Sequence, residues 1–237
     1  MKSNKKTART AGFLYLLVIV FGMFALMYVR PGLIEPGDAG ATASNIMASE
    51  SLFRVGIVSE LIMYVCFLLL PLPLYTLLKS TNKNLARLMV VFVFVSVPMA
   101  MLNTLNNFAA LMLINSAETL TAFSAAQVQG LLMFFLNLYD IGYLVAQILF
   151  GAWLIPLGYL AYKSDLFPKL LGILVILAGL GQVVDTVTSL LFPGYQGVIL
   201  TVFQTLGFSE ILFCLWLLFG RIKEGQQTSQ SLEPAQV

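Results

Sequence analysis

Asp185 stands in the run GQVVDTVTSLLF (Gly181–Phe192), inside a stretch made almost wholly of Leu, Ile, Val, Gly and Ala. Three more carboxylates lie in similar surroundings: Glu60, Asp140 and Glu210. A carboxylate among apolar side chains can hold a proton, a cation or a polar solute. Two of them together can act as acid and base. On the insertion scale such a charge at a helix centre costs about 2.5–3.5 kcal/mol, while each Leu, Ile, Phe or Val returns roughly 0.3–0.6. One acid per helix is therefore compatible with insertion, but it must face a bundle interior or a wet cavity, not lipid.

Helical spacing brings other polar residues to these acids. Asn137, Asp140, Tyr143, Gln147 and Gly151 recur at three or four and form one polar, small stripe. Gly179, Gln182, Asp185 and Ser189 form another. Asn103, Asn106 and Asn107 lie together, as do Gly207, Glu210 and Cys214. Counted from the outer helix ends, Glu60 and Asp185 lie at comparable depth, with Arg54 the basic residue nearest that level. Arg54 and Glu60 are six residues apart and sit on different helix faces, so Arg54 is expected to reach an acid on another helix, Asp140 or Asp185. With one arginine against four acids, some acids must be protonated, water-linked or bound to a cation. The ligand- or ion-binding candidates are thus Arg54, Glu60, Asn103, Asn107, Asp140, Gln147, Gln182, Asp185 and Glu210, gathered in one outer cluster. The same residues would also serve a purely structural network, though interhelical hydrogen bonds in membranes average only about 0.6 kcal/mol.

The elements that carry these residues follow from composition. Of 237 residues 59% are hydrophobic and 10% charged, against about 25% charged in soluble domains. The apolar residues form six blocks long enough to cross a bilayer: Ala11–Val29, Val55–Leu78, Leu88–Ile114, Ile141–Tyr162, Leu170–Phe192 and Val198–Gly220. The expected fold is all-α, a polytopic six-transmembrane-helix bundle. The first block is too long for a signal-peptide core and reads as an uncleaved span. With the N-terminus inside, Lys2, Lys5, Lys6, Arg9, Lys79, Lys83, Arg87, Lys163, Lys169, Arg221 and Lys223 are cytoplasmic, and only Arg30 and Arg54 are outside. Eleven against two predicts both termini in the cytoplasm. Three regions result: a basic N-terminus (1–10), the transmembrane domain (11–220) and a polar tail (221–237) expected to be disordered.

Local signals refine the connections. Asp38 is a candidate N-cap for a short outer helix. Ser124 with Gln127 fits a capping box, and the helix it starts can run on into the fourth span. FPGYQG (Phe192–Gly197) reads as a tight outer turn. Pro71, Pro73, Pro98 and Pro156 lie inside spans, where kinks are expected.

Several chemistries are excluded or unsupported. The chain has no histidine, so imidazole catalysis and histidine-ligated metal sites are absent. Cys66 and Cys214 stand alone in apolar blocks and suggest neither a disulfide nor a zinc site. No nucleophile–base pair, phosphate loop or cofactor motif is present. No catalytic residue, metal ligand or cofactor is assigned. The expected partners are the lipid bilayer and a small solute, proton or cation, with nothing that suits nucleic acid.

AGFLYLLVIVFG, FRVGIVSEL, YDIGYL, LFPKLLGILVILAGLG and SEILFCLWLL, in this order, resemble an uncharacterised bacterial multi-pass membrane family, domain of unknown function 4386. The resemblance runs from about Ala11 to Phe219. It implies a six-helix protein of the bacterial inner (plasma) membrane and no substrate. Members often have His-Asp where this chain has Tyr139-Asp140, so histidine chemistry cannot operate here.

The leading functional reading is a small-solute or ion transporter or binding protein with a carboxylate-lined site in the outer half of the bundle. The alternatives are a non-catalytic membrane subunit or sensor and a membrane-embedded lipid-modifying enzyme. Polar residues thin out towards the cytoplasmic half, which favours a pocket open to the outside over a continuous path.

Overall fold

A computed structural model describes residues 4–115, 122–192 and 196–221, the stretch 196–207 by its backbone alone. The N-terminal residues 1–3, part of the FPGYQG turn and the tail beyond Arg221 lie outside the described residues.

The fold is all-helical, with no strand among the described residues. Helix α1 (Asn4–Gly22) passes through a π-helical segment, Met23–Val29, into the short α2 (Arg30–Leu33). Helix α3 (Ala39–Ala48) precedes α4 (Glu50–Leu69) and α5 (Pro71–Leu78). Next come α6 (Lys83–Asn103), α7 (Leu105–Asn115), α8 (Ala125–Lys163), α9 (Lys169–Leu191) and α10 (Gln196–Phe219). Five helical stretches are long and apolar enough to cross a membrane: Asn4–Leu33, Glu50–Leu78, Lys83–Asn115, Ala125–Lys163 and Lys169–Leu191. Helix α10 adds a 24-residue rod, apolar through its described end Phe208–Phe219.

The ends form where their side chains dictate. Asp38 accepts from the Ala41 amide at 2.8 Å and starts α3. Ser124 and Gln127 bond each other's backbone reciprocally and start α8. Once started, α8 runs 39 residues, roughly 58 Å at 1.5 Å per residue, well beyond a bilayer core. Pro71 divides α4 from α5, whereas Pro98 and Pro156 are carried inside α6 and α8.

The rods close a ring in chain order. The α1 rod packs on α4 and α5, these on α6, α6 and α7 on α8, α8 on α9, α9 on α10, and α10 back on α1. The α8–α9 contact is the most extensive. It depends on two antiparallel glycine pairs seven residues apart. A Cβ on Gly151 would lie 2.7 Å from the Gly179 carbonyl oxygen, and one on Gly158 2.7 Å from that of Gly172. Backbone meets backbone at both places, as small residues permit in membrane bundles.

Two apolar clusters fill the ring. The larger includes Tyr64, Phe67, Ala100, Ala146 and Trp153; the smaller includes Phe53, Ile57, Ala110, Leu132 and Leu136, with α3 contributing Ile46. On three rods a polar residue falls between them in sequence. Glu60 separates Ile57 from Tyr64, Asn107 separates Ala100 from Ala110, and Tyr139 separates Leu136 from Ala146.

Candidate functional site: a carboxylate at the seam of the bundle

Glu60 is 3% exposed. Its Oε1 accepts from the Tyr64 hydroxyl at 2.9 Å, one turn along α4, and from the Tyr139 hydroxyl of α8. Its Oε2 faces the Asn107 amide nitrogen of α7 at 3.5 Å. A cavity of about 20 Å³ opens beside these groups, with Arg30, Gly56, Glu60, Asn107 and Tyr139 in its wall. Asn107 is 4% exposed, and its carbonyl oxygen Oδ1 has no hydrogen-bond partner.

Arg30 forms the rim. The π-helical segment ends at its backbone N–H, which bonds the Ala25 carbonyl five residues back. The wider turn changes the face presented after α1. The guanidinium bonds Asp140 Oδ1 at 2.6 Å and the Leu136 carbonyl at 3.1 Å. It also lies 4.3 Å from the centroid of the Tyr139 ring, within cation–π range. One arginine thus orients both the exposed Asp140 and the tyrosine that holds Glu60.

A second polar group lies around Glu210. Tyr15 of α1 donates to Glu210 Oε2 at 2.5 Å, and Gln182 of α9 donates to Oε1 at 3.3 Å. One turn further along α9, Asp185 accepts from Gln147 of α8 at 3.3 Å. The two groups are linked by aromatic rings. Tyr143 stacks on Tyr139. From Tyr143 the contacts run through Phe150, Phe67 and Trp153 to Tyr15.

Several expectations need correction. Arg54 does not turn into the bundle. It bonds Glu50 at 2.6 Å on its own helix, with more than half of its side chain exposed. The basic residue that reaches an acid on another helix is Arg30. The acids do not form one cluster: Asp185 bonds Gln147 and sits in the group with Gln182 and Glu210, while Asp140 belongs with Arg30 at the Glu60 pocket. Asn103 bonds the Tyr139 carbonyl at 2.8 Å and fastens α6 to α8, leaving Asn107 as the amide that lines the pocket. The residues not anticipated are Arg30 as rim and the hydroxyls of Tyr15, Tyr64 and Tyr139. Tyr64 was signalled by its spacing of four from Glu60, which puts both on one helix face. Tyr139 and Tyr15 act across helices, where spacing along one chain segment carries no signal.

Chemically, the pocket offers one buried carboxylate, an orphan amide oxygen and room for a water-sized body. The family model described as a domain of unknown function (DUF4386) matches residues 10–220. An uncharacterised protein of Archaeoglobus fulgidus is 32% identical over 147 residues, covering 61% of this chain and 70% of the relative. No solved structure matches the chain.

Proposed function

As the chain belongs to the DUF4386 family, whose function its description leaves open, we propose from the geometry that it is a six-span plasma-membrane protein that binds a proton or small cation at Glu60 and carries it inward. The sixth span is α10, 24 residues and roughly 36 Å long. Both termini are cytoplasmic on the charge asymmetry, which puts the Arg30–Asp140 rim and the Glu60 pocket on the outer side. Residues 11–220 form the membrane domain.

One observation carries this reading. Glu60 is buried, and its hydrogen bonds come from neutral groups: two tyrosine hydroxyls and one amide. No basic side chain among the described residues makes an ion pair with it, and Arg30 is committed to Asp140. An intramembrane acid held this way exchanges its proton or a cation with whatever the cavity admits. The larger apolar cluster beyond it means that inward passage requires a rearrangement, for which the segmented α4–α5 rod at Pro71 is the natural joint.

Proteoliposomes loaded with a pH-sensitive dye test the proposal. A step in external pH or monovalent-cation concentration should change internal pH through the parent and not through Glu60→Gln. Equal responses from the two would remove Glu60 from the path.

A further inference from the structure

The start of α9 and the end of α10 flank a groove of about 500 Å³, which shares no wall residue with the Glu60 pocket. Leu170 and Leu174 line it from α9, and Leu212, Leu215, Trp216 and Phe219 from α10. The Trp216 indole is held as a wall, because its Nε1 donates to the Leu166 carbonyl at 3.0 Å. Leu170, Leu212, Leu215 and Phe219 nevertheless stay exposed, Phe219 by 76%. Between Leu212 and Gly220 the lining follows the chain for roughly 12 Å, and one leaflet holds about 15 Å of hydrocarbon. The groove thus has the length and the lining of a seat for an acyl chain, and its volume falls within the ~300–1,000 Å³ of small-molecule sites.

Cations stand at the end of this groove. Arg9 of α1 donates to the Gly220 carbonyl at 3.2 Å and to the Leu217 carbonyl at 2.8 Å, which fixes a guanidinium against the last lining residue. Arg221 follows Gly220 directly and is exposed. Lys169 is also exposed and stands between the lining residues Pro168 and Leu170, its ammonium 6.0 Å from the Tyr162 ring centroid. Among the described residues none of the three forms an ion pair, and Asp165 is the acid of the adjoining loop. The tail does not suit the groove: residues 222–237 are mostly polar, with Ile222, Leu232 and Val237 scattered among them. A second copy docked face to face would bring two basic rims together. An apolar seat that ends among cations matches a lipid with a negative head group. We infer that the groove binds an anionic phospholipid of the inner leaflet, with one acyl chain along α10 between Leu212 and Phe219 and the phosphate at Arg221 and Lys169. The inner leaflet follows from cytoplasmic termini; the groove and its charges depend neither on that topology nor on Glu60.

Brominated acyl chains test this, because bromine quenches the fluorescence of a neighbouring tryptophan. Of the chain's two tryptophans, Trp216 lines the groove and Trp153 is buried in the core. The full-length chain is reconstituted in phosphatidylcholine vesicles that hold a minor share of brominated phosphatidylglycerol or, in parallel, of brominated phosphatidylcholine. Phosphatidylglycerol should quench at a share at least about tenfold lower. Trp216→Phe should abolish the difference between the two lipids. Lys169→Gln with Arg221→Gln should shrink the preference at least about fivefold. Lys79→Gln with Lys83→Gln, an equal loss of charge at the α5–α6 connection, should leave it unchanged. The comparison of the two lipids on the parent requires no variant to fold. Equal quenching by both lipids, or an equal effect of the two double variants, would overturn the inference in favour of ordinary boundary lipid. A preference that survives Trp216→Phe would overturn it by placing the lipid elsewhere. Protection of Trp216 from both lipids would also overturn it, in favour of a second copy where cross-linking in the vesicles gives a dimer and of a closed groove where it does not. A reporter after Arg221 that reads outside would overturn the inner-leaflet assignment alone.

Discussion

Arg30 and Asp140 meet at 2.6 Å across the rim of the bundle, joining the end of the first rod to the N-terminal half of α8. The same guanidinium lies over the ring of Tyr139, which bonds Glu60. Removing it unties three contacts at once. Because Asp140 is more than half exposed, the ion pair itself contributes modestly, and Arg30→Ala should cost about 1–2 kcal/mol in total. Arg54→Ala, which breaks a solvent-exposed pair within one helix, should leave the melting temperature close to the parent's. A larger loss for Arg54 than for Arg30 would contradict the assignment of the rim.

The glycine pairs of α8 and α9 predict a sharp contrast. In Gly179→Val a new side chain meets the Gly151 carbonyl and Leu154, backbone and core that cannot swing aside. Overpacking of this kind typically costs about 1–3 kcal/mol, and the upper end is expected here. Gly130, also in α8, has nothing near the position of a Cβ. Gly130→Ala should stabilise the chain by about 0.5–1 kcal/mol, the helix preference of alanine over glycine. Melting curves of both variants, side by side, check the packing.

Tyr15 and Glu210 fasten the first helix to the last. Tyr15→Phe leaves the Glu210 carboxylate with the Gln182 amide alone and should cost about 1–3 kcal/mol. Replacing both partners, Tyr15→Phe with Glu210→Met, should cost less than the sum of the single changes, because no buried acceptor is then stranded. Additive losses would mean that the two groups do not depend on each other.

Topology is open to direct measurement. Reporter fusions after Arg221 and within the loop at Lys163–Lys169 should both read cytoplasmic, and one in the α2–α3 connection near Glu35 should read outside. A fusion after Arg221 on the outer side would remove α10 as the sixth span.

Much of this architecture is legible in the sequence. The apolar blocks anticipate every rod, and Asp38 and Ser124 with Gln127 start helices as their caps require. The insertion cost of Glu60 and Asp185 places both inside the bundle, where they are 3% and 8% exposed. The spacing of Gln182 and Asp185 anticipates their shared face. The arginines show where such reasoning stops. Glu50 stands four residues before Arg54, the favourable order for an ion pair on one helix, and that local signal outweighs any partner across the bundle. Arg30 has no comparable signal. Its direction depends on the π-helical turn at Met23–Val29 and on where α8 passes, and neither is written in the residues around it. The division of the acids into two groups is likewise a consequence of which helices neighbour each other in the ring.

The central claim is that Glu60 exchanges a proton or cation with the outer solution, and infrared difference spectroscopy tests it most directly. Spectra of the reconstituted protein recorded at stepped pH report carboxylic-acid carbonyl bands as they appear and vanish. The parent should show a titrating band that is missing from Glu60→Gln. A band that titrates identically in parent and variant, or none that responds to pH at all, would contradict it and leave Glu60 as a fixed structural group.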